Sequence, residues 1–130
     1  MIVVDASAIL AIVLKEPEAE TVETALVAAG EGLISPVNYW EVLTRAWGVF
    51  GAAGPVAAKA VMSRLGVQVE MIDREQAEEA ARAFERCGKR AGGRLNLGDC
   101  FAYALAEREG DGLLFKGDDF PKTDVKSVLA

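Results

Sequence analysis

The sequence predicts an α/β fold in which a central, mostly parallel sheet is covered by helices on both faces. Short apolar, β-branched runs alternate along the chain with longer runs of helix-forming residues, and glycine, proline and capping residues separate them. Strands that alternate with helices form βαβ units, which place consecutive strands in parallel. The 130 residues have the length of one domain, so we expect a single domain over residues 1–130.

The first half of the chain predicts two strands and three helices. In order, they are strand 2–4, helix 6–15, helix 19–29, strand 33–34 and helix 36–50. The first strand is the β-branched run Ile-Val-Val, and Pro17 interrupts the helical segment that follows. Gly30 ends the second helix. Ser35 and Pro36 mark the start of the third, as cap and first-turn residue.

The second half predicts three helices and three strands. In order, they are helix 55–65, strand 67–71, helix 74–90, helix 97–109, strand 113–115 and strand 124–128. Pro55 opens the first helix, and apolar and polar residues alternate through the strand 67–71. Asp73 and Gln76 have the spacing of a capping box, which begins the helix 74–90.

The composition narrows the chemistry that is open to this protein. There is no histidine, and the only cysteines are Cys87 and Cys100. This excludes Ser-His-Asp and Cys-His triads as well as zinc sites built from His and Cys. Catalysis would therefore use carboxylates, lysine, hydroxyls or a hard metal ion. The net charge of −6 opposes broad nucleic-acid binding but permits a local basic patch.

The N-terminal residues predict where the protein acts. They carry no basic leader, and the longest uncharged stretch, residues 46–58, is too short and too rich in glycine to span a bilayer. We therefore expect a cytoplasmic protein with no membrane partner.

Acidic residues occur at the points where an α/β sheet binds ligands. Asp5 directly follows the first strand, and Asp118 and Asp119 follow the strand 113–115. Asp99 lies in the first turn of a helix, and Glu41 lies on a largely apolar helix. Ligands of open parallel sheets bind outside the carboxyl ends of the strands, so these side chains are expected to converge there.

Each acid also has an ordinary structural explanation. Asp5 would cap the following helix, Asp99 would complement a helix dipole, and Glu41 would pair with Arg45. Taken together, however, converging carboxylates repel one another unless a cation neutralises them. Oxygen ligands without His or Cys select Mg²⁺ or Mn²⁺, and such ions promote phosphodiester hydrolysis.

Four segments resemble the PIN-domain ribonucleases, and in particular the VapC toxins of bacterial toxin–antitoxin pairs. They are, in the family's order, MIVVDASAIL, SPVNYWEVL, LNLGDCFAYALAE and LLFKGDDFPKTDV. The resemblance covers essentially the whole chain and implies a three-layer α/β/α sandwich. It places the family's acidic quartet on Asp5, Glu41, Asp99 and Asp119. The fourth acid is assigned to Asp119 because it directly precedes a phenylalanine, with Asp118 as the alternative.

The resemblance implies a Mg²⁺- or Mn²⁺-dependent endoribonuclease toxin with RNA as its substrate. Asp5 and Asp99 would ligate the metal directly, and Glu41 and Asp119 would complete its surroundings or orient the attacking water. A cognate antitoxin would neutralise the toxin at this site and supply the DNA binding for autoregulation. A homodimer is also implied. Asp124 resembles a family feature near the site, with no assigned role.

Two other functions are weighed against this one. Receiver domains are short α/β proteins that bind Mg²⁺ and become phosphorylated on one aspartate. They carry paired acids after the first strand, whereas this chain has Asp5 alone there and has Glu41 on a helix, and both features count against this function. A catalytically inactive PIN scaffold is the second alternative, and the intact quartet disfavours it.

Two further groups of residues have open roles. Residues 82–94 contain five basic residues and one acid, which would form either a solvated helix face or a footprint for RNA phosphates. The basic residues are Arg82, Arg86, Lys89, Arg90 and Arg94. The aromatic residues Tyr39, Trp40, Trp47 and Phe50 are interpreted as core or interface residues rather than as base-stacking platforms.

Overall fold

A computed structural model describes residues 1–88, 91–121 and 123–129. The strands are β1 (Ile2–Val4), β2 (Gly32–Ile34), β3 (Val67–Val69) and β4 (Leu113–Leu114). The helices are α1 (Ala6–Val13), α2 (Ala19–Ala29), α3 (Pro36–Phe50), α4 (Ala53–Arg64), α5 (Arg74–Cys87) and α6 (Leu97–Glu109).

The four strands form one sheet in the order β3-β2-β1-β4, and every pair is parallel. Val3 lies opposite Leu33 on one side and opposite Leu113 on the other. The strand order reverses at β1, because β2 extends the sheet in one direction and β4 in the other. Such a reversal opens a crevice at the carboxyl ends of the strands, which is where Asp5 follows β1.

Two apolar cores lie on opposite faces of the sheet. On one face, Val4, Ile34 and Leu114 pack with residues of α1 to α4. On the other face, Val3, Leu33 and Leu113 pack with α5 and α6. The alternation of strand side chains between the two faces produces this division. The architecture is therefore the expected α/β/α sandwich.

The predicted starts of the third, fifth and sixth helices are confirmed by their caps. The backbone N–H of Asn38 donates to Ser35 Oγ (3.0 Å), and that of Gln76 donates to Asp73 Oδ1 (2.9 Å). The side chain of Gln76 donates to Glu79 instead of returning to Asp73. The only reciprocal capping box found among the described helices is at the start of α6.

Several predicted boundaries were wrong. α4 begins at Ala53 rather than at Pro55, so Pro55 lies inside its first turn. Proline is tolerated there because the backbone N–H groups of the first turn have no partner within the helix. The predicted strand 124–128 is reduced to one parallel bridge between Leu113 and Ser127. The hydroxyl of Thr123 bonds the carbonyl of Phe120 (2.6 Å), which turns the chain before a longer ladder can form.

The remaining differences concern element ends. α1 ends at Val13, two residues early, and Lys15 adopts a positive φ of 55°. β3 ends at Val69, because residues 70–73 leave the sheet. α5 ends at Cys87 rather than at residue 90, because Gly88 is extended and forms a bridge to Leu95. Lys89 and Arg90 of the predicted helix lie outside the described residues.

The aromatic residues of α3 are mostly not in the core. The buried side of this helix carries Asn38, Val42 and Ala46, which recur every four residues. Trp40 and Trp47 lie on the other side and are 64% and 57% exposed. The core interpretation was therefore wrong for both tryptophans and for Phe50, which is also exposed, whereas Tyr39 packs against the core. Their role at an interface remains a prediction.

Within the described residues, no helix is both long enough and apolar enough to cross a membrane.

Candidate active site

A cavity of about 360 Å³ opens where the carboxyl ends of the strands meet the first turn of α6. The structure brings all four sequence-predicted acids to its wall, namely Asp5, Glu41, Asp99 and Asp119. They come from four separate parts of the chain: the end of β1, the middle of α3, the start of α6 and the turn after β4. Ser7, Asn96, Arg45 and Lys116 also line this acidic cavity.

Asp5 combines a structural role with its place in the cavity. Its Oδ2 accepts hydrogen bonds from the backbone N–H of Ser7 (3.1 Å) and from the Ser7 hydroxyl (2.6 Å), so it caps α1. The residue is buried, and this burial raises the pKa of its carboxyl. The bonds from Ser7 oppose the pKa shift, and the nearby negative charge of Asp119 adds to it. The capping explanation is thus correct without removing Asp5 from the site.

Glu41 is held by Asn38 rather than by the expected ion pair with Arg45. The Asn38 side-chain amide donates to Glu41 Oε1 (2.8 Å) and to the carbonyl of Gly98 (3.0 Å). Asn38 is fully buried, and its own oxygen accepts from the hydroxyl of Ser35 (2.6 Å). In the described part of the chain, Arg45 forms no ion pair with Glu41.

The Glu41 carboxylate also packs directly on the backbone of α6. A Cβ added at Gly98 would lie 2.3 Å from both carboxylate oxygens, so only glycine permits this contact. Burial raises the pKa of Glu41, with a further contribution from the charge of Asp5, while the Asn38 bond and Arg45 lower it.

Asp99 belongs to the reciprocal capping box of α6. Its backbone N–H donates to Asn96 Oδ1 (2.9 Å), and its Oδ2 accepts from the backbone N–H of Asn96 (3.0 Å). The pKa of Asp99 is raised to about 7, and burial is the largest cause. The hydrogen bond from the backbone of Asn96 lowers this pKa and so opposes the shift. The negative charges of Asp5, Asp119 and Glu41 raise this pKa further. The carboxylates therefore do interact through space.

The two acids of the turn after β4 differ in position. Asp119 lines the acidic cavity, whereas Asp118, among the described residues, is not part of its wall. Both are exposed. Asp124 has a different environment, because it accepts a hydrogen bond from the hydroxyl of the buried Tyr103.

The basic stretch is described only in part. Arg82 and Arg86 are exposed on α5, and the Arg86 guanidinium lies 6.0 Å from the centre of the Tyr103 ring. Lys89 and Arg90 lie outside the described residues. The described members of the stretch do not line the acidic cavity, and a contact with RNA stays a prediction.

Sequence reasoning missed the residues that support the acids. Asn38, Asn96 and Ser7 each bond a carboxylate of the cavity, and Gly98 makes room for one. The spacing Asn96-x-x-Asp99 is a recognisable capping-box pattern. Nothing local in the sequence shows that Asn38 reaches α6, because that contact spans 60 residues.

The donor set suits a hard divalent cation. Where the chain is described, Asp5, Glu41 and Asp99 accept hydrogen bonds only from neutral groups, so their charges are not compensated by a bonded base. No group of three acidic or cysteine side chains within those same ranges is arranged to hold an ion. Mg²⁺ commonly uses one or two carboxylates and keeps several waters, so a pair of these acids fits it.

Comparison with known proteins identifies the family. The PIN domain family matches residues 2–126. The protein "Ribonuclease VapC" of Mycolicibacterium smegmatis is 40% identical over 129 residues, which cover 97% of this chain and 98% of the relative. "Ribonuclease VapC30" of Mycobacterium tuberculosis is 39% identical over 129 residues, covering 97% of each chain.

A solved structure shares the fold. The crystal structure of Mycobacterium tuberculosis VapC20, described as a Sarcin-Ricin loop cleaving toxin, superposes with a TM-score of 0.78 at 21% identity. The alignment covers 96% of each chain. The full-length match to the family and the relatives above 30% identity decide against a receiver domain. The chain, with its all-parallel sheet and its acidic cavity at the reversal of strand order, belongs to the PIN-domain family and groups there with the VapC ribonucleases.

Proposed function

We propose that this protein is a metal-dependent endoribonuclease, the toxin of a toxin–antitoxin pair, which hydrolyses RNA phosphodiester bonds at the acidic cavity. One observation carries the proposal: four carboxylates from separate elements share a single cavity in a protein that has no histidine. The names of the VapC relatives support RNA as the substrate. We further propose that residues 1–130 act as one domain in the cytoplasm.

In this proposal, Asp5 and Asp99 hold Mg²⁺ or Mn²⁺. Both are buried carboxylates with rigid positions, because each is tied to a helix N-terminus by its own capping bonds. When bound, such an ion activates water and stabilises the charge that develops on the reacting phosphate.

Glu41 and Asp119 act on the water and on the surroundings of the ion. Asn38 and Gly98 fix the Glu41 carboxylate, which orients the attacking water and accepts its proton. Burial raises the pKa of Glu41, which makes its carboxylate a stronger base than an exposed one. Asp119 lies on an exposed turn and completes the surroundings of the ion or positions a second one. The water oxygen forms a bond to phosphorus as the bond to the leaving oxygen breaks.

We also propose two protein partners. A cognate antitoxin would cover the acidic cavity and supply the DNA binding for autoregulation, and a second copy of the chain would form a homodimer. The exposed aromatic side of α3, with Trp40, Trp47 and Phe50, supports an interface with a protein. The wall position of Trp40 links this surface to the cavity.

Cleavage of single-stranded RNA with and without divalent ions tests the function. We expect cleavage in Mg²⁺ or Mn²⁺ and none in EDTA. Asp5→Asn and Asp99→Asn should each reduce the rate by at least about 100-fold, because loss of even an outer partner of a metal site costs 10–100-fold. In EDTA the two variants should melt no lower than the parent protein, because asparagine keeps the capping bonds and the replaced charge relieves repulsion.

The turn after β4 offers a matched control for this experiment. Asp119→Asn should reduce cleavage, whereas Asp118→Asn should leave it unchanged, because only the former side chain lines the cavity. Full cleavage in EDTA would contradict the metal mechanism. A lack of cleavage under every condition, with normal folding, would favour the inactive scaffold.

A further inference from the structure

The acidic cavity presents an electrostatic difficulty for the proposed substrate. Four carboxylates repel an RNA strand, so basic groups are needed where the strand enters. Among the described residues that line the cavity, only Arg45 and Lys116 are basic. Both lie on the same side of it, because the two together also line a second, adjoining cavity.

The backbone ties Lys116 closely to Asp5. The N–H of Lys116 donates to Ser7 Oγ (2.9 Å), and the same hydroxyl donates to Asp5 Oδ2 (2.6 Å). One serine therefore separates the start of this lysine side chain from a carboxylate of the site. This connection fixes the position of Lys116 relative to the proposed reaction centre.

The adjoining cavity has a volume of about 240 Å³ and continues from the acidic one. Ser7 and Leu10 line both cavities, together with the two basic residues. Glu16 is the only acid on the wall of the smaller cavity among the described residues. It is thus the part of the site where the positive charges outnumber the negative ones.

Lys116 is held there by an ion pair that solvent reaches in part. Its Nζ contacts Glu16 Oε2 and lies 3.9 Å from Glu18 Oε1, an oxygen with no hydrogen-bond partner in the part of the chain that the structure describes. The side chains of Lys116 and Glu16 are 30% and 28% exposed. Because solvent reaches both side chains, an incoming anion can reach Lys116 and compete with Glu16 for it.

We propose that Lys116 and Arg45 bind a backbone phosphate of the RNA strand beside the bond held at the acidic cavity, and that Glu16 competes with this phosphate for Lys116. This inference rests on the proposed ribonuclease function. The contact is to the sugar-phosphate backbone, so it positions the strand without reading its bases.

Charge-removing variants test the contact. Lys116→Gln and Arg45→Gln should each weaken RNA binding roughly tenfold, the effect of losing one charge-assisted hydrogen bond. The salt dependence of binding should decrease by about 0.7 in log–log slope for each lost contact to a single strand. In cleavage assays KM should rise by the same factor, with kcat nearly unchanged in Lys116→Gln. Arg45→Gln also removes a charge that lowers the pKa of Glu41, so only its KM and its binding are compared. Affinities are measured in an Asp99→Asn background so that the strand stays intact.

Glu16→Gln distinguishes substrate binding from a structural salt bridge. If Glu16 competes with the phosphate, removing its charge should tighten RNA binding several-fold, opposite in sign to Lys116→Gln. If the pair is only structural, both variants break the same interaction and change binding and stability in the same direction. The pair Arg64–Glu23 is the control, because it is another ion pair between side chains that solvent reaches, and it lines neither cavity. Arg64→Gln and Glu23→Gln should leave binding unchanged.

The outcomes separate this inference from the function on which it rests. If the parent protein does not cleave RNA, or if the Asp99→Asn background cleaves it at the parent's rate, the proposed function at this cavity fails. If the parent cleaves but Lys116→Gln leaves KM and the salt slope unchanged, the phosphate contact alone is overturned. The contact is also overturned if Glu16→Gln weakens RNA binding, or if these variants change only the binding of a protein partner.

Discussion

The Glu41 carboxylate is held between the side-chain amide of Asn38 and the backbone at Gly98. Its close approach to Gly98 allows a test of the role of Glu41. Gly98→Ala places a methyl group where the carboxylate lies, so the flexible Glu41 side chain must move. We expect at least a tenfold loss of cleavage, because small displacements of reacting groups cost about this much or more. Stability should change by less than about 1 kcal/mol, since alanine favours a helix over glycine.

Gly48→Ala is the matched control for this substitution. Gly48 also lies in a helix, and nothing lies within 4 Å of an added Cβ there. The control should melt slightly higher and cleave normally. Equal activity in both variants would show that the position of Glu41 does not matter for catalysis.

The pKa of Asp99 predicts how stability depends on pH. The folded protein holds this proton up to about pH 7, whereas an unfolded chain releases it near pH 4. Between these values the folded state binds more protons, so without metal its free energy of unfolding falls as pH rises and then levels off above pH 7. The raised pKa values of Asp5 and Glu41 act in the same direction.

Thermal melts in EDTA at pH 5, 6, 7 and 8 measure this effect. Asp99→Asn removes the group, so the stability of the variant relative to the parent should increase as pH rises toward 8. A difference between the two proteins that is constant with pH would contradict the raised pKa.

At the scale of elements, α6 supplies one acid of the site and also binds the C-terminal segment of the chain. Its first turn holds Asp99, and about one turn later the hydroxyl of Tyr103 donates to Asp124. Among the described residues, the segment after Asp124 pairs with the sheet only through the bridge at Ser127, so this hydrogen bond helps to attach it. Tyr103→Phe should therefore destabilise the protein by about 1–3 kcal/mol, the cost of losing a hydrogen bond to a charged group.

A second tyrosine provides the comparison for Tyr103. The hydroxyl of Tyr39 forms no hydrogen bond within the described residues, so Tyr39→Phe should be nearly neutral. Denaturant unfolding of both variants measures the difference. Combining Tyr103→Phe with Asp124→Asn should add little to either single change, because both remove one interaction.

For the whole molecule, metal binding should appear as added stability. An ion that binds only the folded state raises the free energy of unfolding by about 2.7 kcal/mol at 100 times its dissociation constant. We expect the melting temperature to rise saturably with Mn²⁺ or Mg²⁺ at pH 8. The double variant Asp5→Asn with Asp99→Asn should not respond, and KCl at equal ionic strength should have no such effect. An identical rise in the double variant would place the ion elsewhere.

Much of this protein follows from local sequence patterns. The β-branched run before Asp5, the glycine after α2 and the serine and proline before α3 each act within a few residues, so they predicted the order of the elements. The rule that ligands bind at the carboxyl ends of parallel strands then selected Asp5 and the acids of the turn after β4. Their positions on predicted helices added Asp99 and Glu41, and the resemblance of four segments to one family then grouped the acids as a quartet.

Only the tertiary structure decided which partners hold those acids. The bond from Asn38 to the carbonyl of Gly98 and the approach of Lys116 to Ser7 join residues 60 and 109 positions apart. The outward direction of Trp40 likewise depended on which side of α3 meets the core. Hydrogen-bonding capacity and helix periodicity are local properties and can be read from sequence. Two features of this site depend instead on how distant segments pack: the partner of a buried amide, and the side of a largely apolar helix that is buried. Both are decided by the whole molecule, because every buried polar group needs a partner and tertiary packing overrides local preference.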